Sequence, residues 1–105
     1  MNLDQSYVNS IVSSGTDNVL ELIFKFGNLW ELFDNRNAVK TRNNYGLSKN
    51  WRVYKKSELS KSEETLNLLA FELLPEKLNE IAPFGTTFGE HPSEKNKYGF
   101  WKSKS

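Results

Sequence analysis

The sequence has 105 residues, a formal net charge of +1 and no cysteine. This length predicts a single domain, residues 1–105, with a hydrophobic core large enough to fold without disulfides. The lack of cysteine excludes disulfide frameworks, thiolate zinc sites and a cysteine nucleophile, and it suits a reducing compartment.

Two stretches of the sequence bear on targeting, and neither fits a signal peptide or a membrane span. The first residues, MNLDQSYVNS, lack a basic region followed by an apolar run. The most apolar later stretch, VLELIFKFGNLWELF, contains Glu21, Lys25 and Glu31 and is shorter than the roughly 20 apolar residues that a span needs. These patterns predict a soluble, cytoplasmic protein without membrane contact.

The first predicted element is a helix over LDQSYVNSIVSS, residues 3–14. Its apolar residues recur at helical spacing, and Gly15 follows where a left-handed C-cap would end the helix.

A second, longer helix is predicted over TDNVLELIFKFGNLWELFDN, because its apolar residues fall on one helical face. Thr16, Asp17 and Asn18 all offer oxygens for the N-cap. Gly27 in mid-helix costs about 1 kcal/mol relative to alanine. A strand through VLELIF followed by a shorter helix is therefore the alternative, although the periodicity favours the helix.

Residues 34–50 are rich in asparagine and turn residues, so an irregular connection is predicted there. WRVYKK, residues 51–56, alternates its side chains as a short strand does.

The next segment predicts a helix interrupted by proline. Ser60 and Glu63 are spaced as a capping box before an apolar stripe. Pro75 should end or kink this helix and begin a second short piece that buries Leu78 and Ile81.

The C-terminal stretches FGTTFGE and KYGFWK have strand character and predict a hairpin. Together these elements predict an α+β fold of three or four helices with a small antiparallel sheet from residues near 51–56, 85–90 and 97–102. The predicted core includes Leu22, Ile23, Phe26, Trp30, Phe33, Leu66, Leu69, Leu73 and Phe100.

Charges are segregated along the chain. A basic segment, residues 36–56, contains no acidic residue, and its cations are Arg36, Lys40, Arg42, Lys49, Arg52, Lys55 and Lys56. An acidic segment, residues 57–94, carries eight glutamates and two lysines, a formal balance of −6. Solvated faces or mutual neutralisation are the favoured interpretation, and two oppositely charged surfaces are the alternative.

His91 is the single histidine, and it lies beside Glu90 and across the predicted hairpin from Tyr98. It could act as a general acid or base near neutral pH, as a small enzyme would require. The sequence places no activated nucleophile or second acid nearby, so a loop-fixing donor to backbone carbonyls is favoured.

Other site chemistry has little support in the sequence. One histidine without cysteines leaves too few metal ligands, and no calcium-binding or phosphate-binding loop has the required spacing. The sequence therefore predicts no catalytic residue, metal site or cofactor.

Nucleic-acid binding is the second functional hypothesis. The basic segment 36–56 places Tyr45, Trp51 and Tyr54 among its cations, which would combine phosphate attraction with base stacking. Arg42, Arg52 and Lys56 would then contribute to affinity. The glutamates that follow would repel phosphate, which makes a nucleic-acid partner the less favoured one.

The stretch FGEHPSEKNKYGFW, residues 88–101, resembles a C-terminal signature, FG-x-H followed by [YF]GFW, of small bacterial proteins. With its helix-rich, cysteine-free and asparagine-rich character, the chain is similar to immunity proteins of contact-dependent inhibition and related polymorphic toxin systems. The resemblance implies a cytoplasmic antidote that binds one cognate toxin domain, often a nuclease, and blocks its active site.

Carboxylates of the acidic segment would complement a basic nuclease site. The predicted partner-binding residues are Glu72, Glu76, Glu80, Glu90 and Glu94. Nuclease inhibitors are commonly acidic overall, and this chain departs from that pattern. The mechanism therefore requires these glutamates to gather on one outward surface, apart from the basic segment.

Overall fold

The computed structural model describes residues 2–52 and 63–102 and has an α+β fold, as the sequence predicts. Helices pack against one face of a three-stranded antiparallel sheet of order β1-β3-β2. The strands are β1 (Ile11–Ser14), β2 (Thr86–Glu90) and β3 (Lys97–Lys102), and the helices are α1 (Val19–Phe33), α2 (Asn35–Asn44), α3 (Glu63–Leu68) and α4 (Leu74–Glu80). Short 3-10 turns span Gln5–Tyr7 and Lys49–Trp51, and a π-helical turn spans Leu69–Leu73.

Helix α1 is the central element and confirms the prediction from periodicity. The Asn18 side chain caps it by accepting from the amides of Leu20 (3.0 Å) and Glu21 (3.2 Å). Its inward face buries Leu22, Ile23, Phe26, Gly27 and Trp30.

The predicted helix over residues 3–14 is wrong. That segment forms one 3-10 turn and then β1, which pairs antiparallel with β3 through Ile11 opposite Gly99 and Ser13 opposite Tyr98. Asn9 has a φ of 63°, in the left-handed region that interrupts a right-handed helix. Pairing with β3 supplies the hydrogen bonds that the segment would otherwise have made within a helix.

The irregular connection predicted over 34–50 is also wrong for its first part, because residues 35–44 form α2. This helix buries only Ala38. Its exposed surface carries polar side chains without an apolar stripe, so the pattern that identifies an amphipathic helix is missing.

The third strand of the described sheet is β1, at residues 11–14. Trp51 belongs to a 3-10 turn and is completely buried, and Arg52 lies outside the strands. Residues 53–56 of that prediction, and Ser60 of the predicted capping box, lie outside the described residues.

The interruption predicted at Pro75 takes the form of the π turn. Leu74 N–H donates to the Leu69 carbonyl five residues earlier, and Pro75 stands in the first turn of α4. Leu78 and Ile81 are buried, as predicted.

The hydrophobic core lies between α1, the helical segment 63–80 and the hairpin. Seven of the nine predicted core residues are buried, while Phe33 and Leu73 are only partly buried at its margin. The ring centroids of Phe26 and Phe88 lie 5.1 Å apart, which joins α1 to β2. Among the described residues, no helix has both the length and the apolar composition needed to cross a membrane.

Candidate functional site

The five glutamates predicted to bind a partner lie in two places. Glu72, Glu76 and Glu80 are on the π turn and α4, while Glu90 and Glu94 are at the turn of the hairpin. All five are exposed.

Three of these carboxylates are engaged by their own chain. Glu80 lies 3.6 Å from Lys77 Nζ, and Glu94 lies 2.8 Å from Lys97 Nζ. The hydrogen bond and charge of Lys97 lower the pKa of Glu94 below its usual value. Glu90 accepts from the Asn96 amide at 2.8 Å.

Glu72 and Glu76 differ from these three. Neither has an ion-pair or hydrogen-bond partner among residues 2–52 and 63–102. They are four residues apart on one helical segment, so their side chains lie about one turn apart.

Two apolar side chains accompany these glutamates and were missed by the sequence analysis. Leu68 is 39% exposed and Phe71 is 44% exposed. We call Leu68, Phe71, Glu72 and Glu76 the acidic–apolar face. The sequence contained a signal for this face, because Leu68 and Phe71 lie outside the stripe of apolar residues that the amphipathic pattern assigns to the core.

Phe71 lies within the π turn. Pro75 has no amide hydrogen, and its ring crowds the carbonyl four residues earlier, which is that of Phe71. The helix widens over Leu69–Leu73, and the helical register shifts at that point. Leu69 and Ala70 remain fully buried while Phe71, the next residue, projects outward.

His91 is held at the hairpin turn by local contacts. Its Nδ1 lies 3.1 Å from the Ser93 amide, which donates to it, and 3.2 Å from Ser93 Oγ. Its ring meets that of Trp101 edge-on, with centroids 4.7 Å apart. The predicted direction of bonding is therefore wrong, because Nδ1 accepts from a backbone amide rather than donating to a carbonyl.

Tyr98, the other group weighed for chemistry, belongs to the core face of the sheet. It lies opposite Glu90 in the register, and its ring centroid is 5.4 Å from that of Phe26. Burial raises the pKa of the Tyr98 phenol, and the charges of Glu90 and Asp17 raise it further.

The glycines and tryptophan of FGEHPSEKNKYGFW form one packed unit. Gly89 and Gly99 lie opposite each other, and Trp101 Nε1 donates to the Gly89 carbonyl at 2.8 Å. A Cβ atom on Gly99 would lie 2.9 Å from Trp101 Cζ2 and still closer to the Ser10 carbonyl oxygen. The hairpin therefore requires a side chain no larger than that of glycine at this position.

Several side chains of the basic segment that were predicted to bind nucleic acid contact other residues of the same chain. Arg42 Nη1 lies 2.7 Å from Glu31 Oε1, and Trp51 Nε1 donates to the same oxygen at 3.1 Å. The Arg52 guanidinium lies 4.8 Å from the centroid of the Phe24 ring. Tyr45 packs against the core, while Tyr54, Lys55 and Lys56 lie outside the described residues.

The sequence matches no protein-family model, no curated protein and no solved structure.

The acidic–apolar face offers recognition chemistry. It presents two carboxylates beside an aromatic ring on hydrogen-bonded helical backbone, the π turn and α4, which holds them in a defined arrangement. Across residues 2–52 and 63–102, histidine, aspartate and glutamate form no group of three that could hold a metal ion. The face is suited to contacting another macromolecule.

Proposed function

We propose that this chain is an immunity protein that binds a cognate toxin domain and occludes its active site. The observation that carries the proposal is the acidic–apolar face, where exposed Phe71 and Leu68 lie beside Glu72 and Glu76. Contiguous exposed apolar side chains with a rim of polar residues mark protein-binding surfaces. The resemblance of residues 88–101 to the signature of immunity proteins supplies the class of partner.

The chemistry of the face defines the partner surface that would fit it. Aromatic side chains at the centre of an interface commonly supply most of its binding energy, and Phe71 would take this position. Glu72 and Glu76 would meet lysine or arginine side chains around the pocket that receives Phe71. A nuclease active site has such cations, because it must hold phosphate groups.

The helical backbone favours this mode of binding. Leu69, Ala70 and Leu74 anchor the segment in the core, so Phe71 and Glu72 are held in place before the partner arrives. Preorganisation reduces the entropy cost of forming a complex.

The nucleic-acid hypothesis has weaker support. Its stacking residue Trp51 is completely buried, and Arg42 is paired with Glu31. We therefore propose a protein partner in preference to a nucleic acid.

The proposal is tested by co-expression with each candidate toxin domain encoded by a gene adjacent to this one, followed by calorimetric titration of the purified pair. We expect wild type to restore growth. Phe71→Ala should weaken binding by about 30-fold or more, which corresponds to the roughly 2 kcal/mol of a central aromatic contact. A thermal unfolding curve checks that the variant remains folded.

Charge reversal provides a matched comparison. The double variant Glu72→Lys/Glu76→Lys should weaken the complex by at least about 100-fold, since like charges would face each other. Glu90→Lys/Glu94→Lys changes the net charge equally but lies outside the acidic–apolar face. Equal losses for both double variants, or unchanged affinity for the first, would exclude this face from the interface.

A further inference from the structure

A second exposed apolar surface lies along α1, where the N-terminal segment and β1 pass beside it. Two adjacent hollows, of about 330 and 460 Å³, share Tyr7 and Leu29 in their linings, and we treat them together as one groove. We call it the α1 groove. Its apolar lining comprises Leu3, Tyr7, Ile11, Val12, Leu29, Leu32 and Phe33.

The two ends of the α1 groove differ in shape. At one end Leu32 is 77% exposed and projects from the helix. At the other end is the larger hollow, which is bordered by Ile11 and Val12. Lys25 and Leu32 are seven residues apart on α1, so the two ends are separated by about 10 Å.

The two ends also differ in charge. Asp4 lines the hollow beside Leu32, while Lys25 lines the hollow beside Ile11. Lys25 lies 3.8 Å from Glu21 on the same helix, and the two side chains are 35% and 48% exposed. A surface contact of this kind is weak enough to be exchanged for an ion pair with another molecule.

We propose that two copies of this chain pack through their α1 grooves about a two-fold axis passing near Leu29. A two-fold axis brings each end of the groove against the opposite end in the other copy. Leu32 of each copy then fills the hollow beside Ile11 in its partner, and Lys25 of each copy meets the partner's Asp4. An anion at one end and a cation at the other is the self-complementary pattern that this symmetry needs.

This interface is separate from the one proposed for a toxin. No residue of the helical segment 63–80 lines the α1 groove. The acidic–apolar face therefore stays exposed in each copy, and the failure of one proposal leaves the other standing.

The test is sedimentation equilibrium of the full chain over about 1 to 200 µM, a range that covers micromolar dimer dissociation constants. We expect a concentration-dependent increase above the monomer mass of 12.2 kDa. Leu32→Asp should raise the dimer dissociation constant by about 100-fold or more, because it places a carboxylate in an apolar hollow. Phe84→Asp is the matched control, since Phe84 is 78% exposed but lies outside the groove.

The charge pair tests the symmetry. Lys25→Glu should weaken the dimer, because carboxylates would then meet across the axis, and adding Asp4→Lys should restore it. Circular dichroism verifies that each variant is folded. If the double variant Lys25→Glu/Asp4→Lys dimerises no more tightly than Lys25→Glu alone, the proposed pairing of Lys25 with the partner's Asp4 is overturned.

Two further results would overturn the proposal entirely. A monomer at every concentration would exclude pairing of two copies through the α1 groove. Equal effects of Leu32→Asp and Phe84→Asp would show that association does not use the groove.

Discussion

At the scale of single residues, the clearest case is Gly27 in the middle of α1. Glycine is unfavourable there by helix propensity alone. A Cβ atom at this position would lie 2.6 Å from Trp51 Cε3 and still closer to two other atoms of the indole ring. The glycine makes room for a tryptophan that closes the core from outside the helix.

The residues around Gly27 hold Trp51 in this notch. Asn28 donates to the Asn50 carbonyl at 2.6 Å, and Glu31 accepts from Trp51 Nε1. Asn50 and Trp51 both have positive φ angles, 63° and 61°, which are unfavourable for residues with side chains. Burial of the indole and its hydrogen bond offset this conformational cost.

The variant Gly27→Ala distinguishes the effect of helix propensity on stability from the effect of packing against Trp51. Helix propensity alone predicts a gain of about 1 kcal/mol in the free energy of unfolding. The collision with Trp51 predicts a loss of about 1 to 3 kcal/mol, as is typical of overpacked cores. We expect the loss to dominate in urea unfolding of the two proteins.

Gly89→Ala is the control for this substitution. Gly89 has a negative φ angle, and a Cβ atom there would meet nothing within 4 Å. The Gly89→Ala variant should change in stability much less than Gly27→Ala. A Gly27→Ala variant more stable than wild type would contradict the collision with Trp51.

At the scale of elements, the start of α1 depends on one side chain. Thr16, Asp17 and Asn18 are all residue types that cap helices. Only Asn18 accepts from the amides of the first turn. Thr16 Oγ1 accepts from the Asn18 amide at 3.0 Å and so shapes the approach to the cap. The geometry of the preceding turn selects the capping residue.

Asn18→Ala should lower the free energy of unfolding by about 1 kcal/mol, because two amides lose their acceptor. Asp17→Ala is the comparison, since Asp17 precedes the cap and its carboxylate has only a weaker interaction with the helix dipole. Thermal or urea unfolding measures both variants. A greater loss of stability for Asp17→Ala than for Asn18→Ala would show that Asn18 is not the main capping residue.

At the scale of the whole molecule, the described ion pairs do not cancel the two charged segments against each other. Arg42 of the basic segment pairs with Glu31 of α1. Glu80 and Glu94 pair with lysines three residues away. A nearly neutral chain therefore keeps carboxylates such as Glu72 and Glu76 available on its surface.

The pH dependence of global stability should reflect Tyr98. Burial raises its pKa in the folded chain above the ordinary value of 10.0, and Glu90 and Asp17 add to the effect. Below pH 10.0 both states retain the phenol proton, so its contribution is fully present. As the pH rises further, the unfolded chain loses this proton first, and the free energy of unfolding falls until the folded pKa is passed.

Tyr98→Phe removes this titration while keeping the ring that contacts Phe26. Urea unfolding at pH 8 and near pH 10.5, about half a unit above the ordinary pKa of tyrosine, should show a smaller loss of stability for the variant than for wild type. Lysines titrate equally in both proteins, so parallel losses would contradict the role assigned to Tyr98.

Local patterns in the sequence determined several elements correctly. The 3.6-residue period of α1 and the paired strands of the C-terminal hairpin are short-range features, and so is the interruption at Pro75. They established the α+β class because each depends on residues close together in the chain. The sequence also indicated Glu72 and Glu76 as candidate site residues, although it grouped them with three glutamates that their own chain engages.

Only the tertiary structure decided the rest. Residues 11–14 became a strand because β3, more than 80 residues later, offers an edge to pair with. Residues 35–44 became a helix without an apolar stripe, and Gly27 was explained by a tryptophan 24 residues away. Local propensities differ by a few tenths of a kcal/mol per residue, whereas long-range pairing and burial contribute more than that at a single residue. Contacts distant in sequence therefore prevail wherever the local pattern is weak.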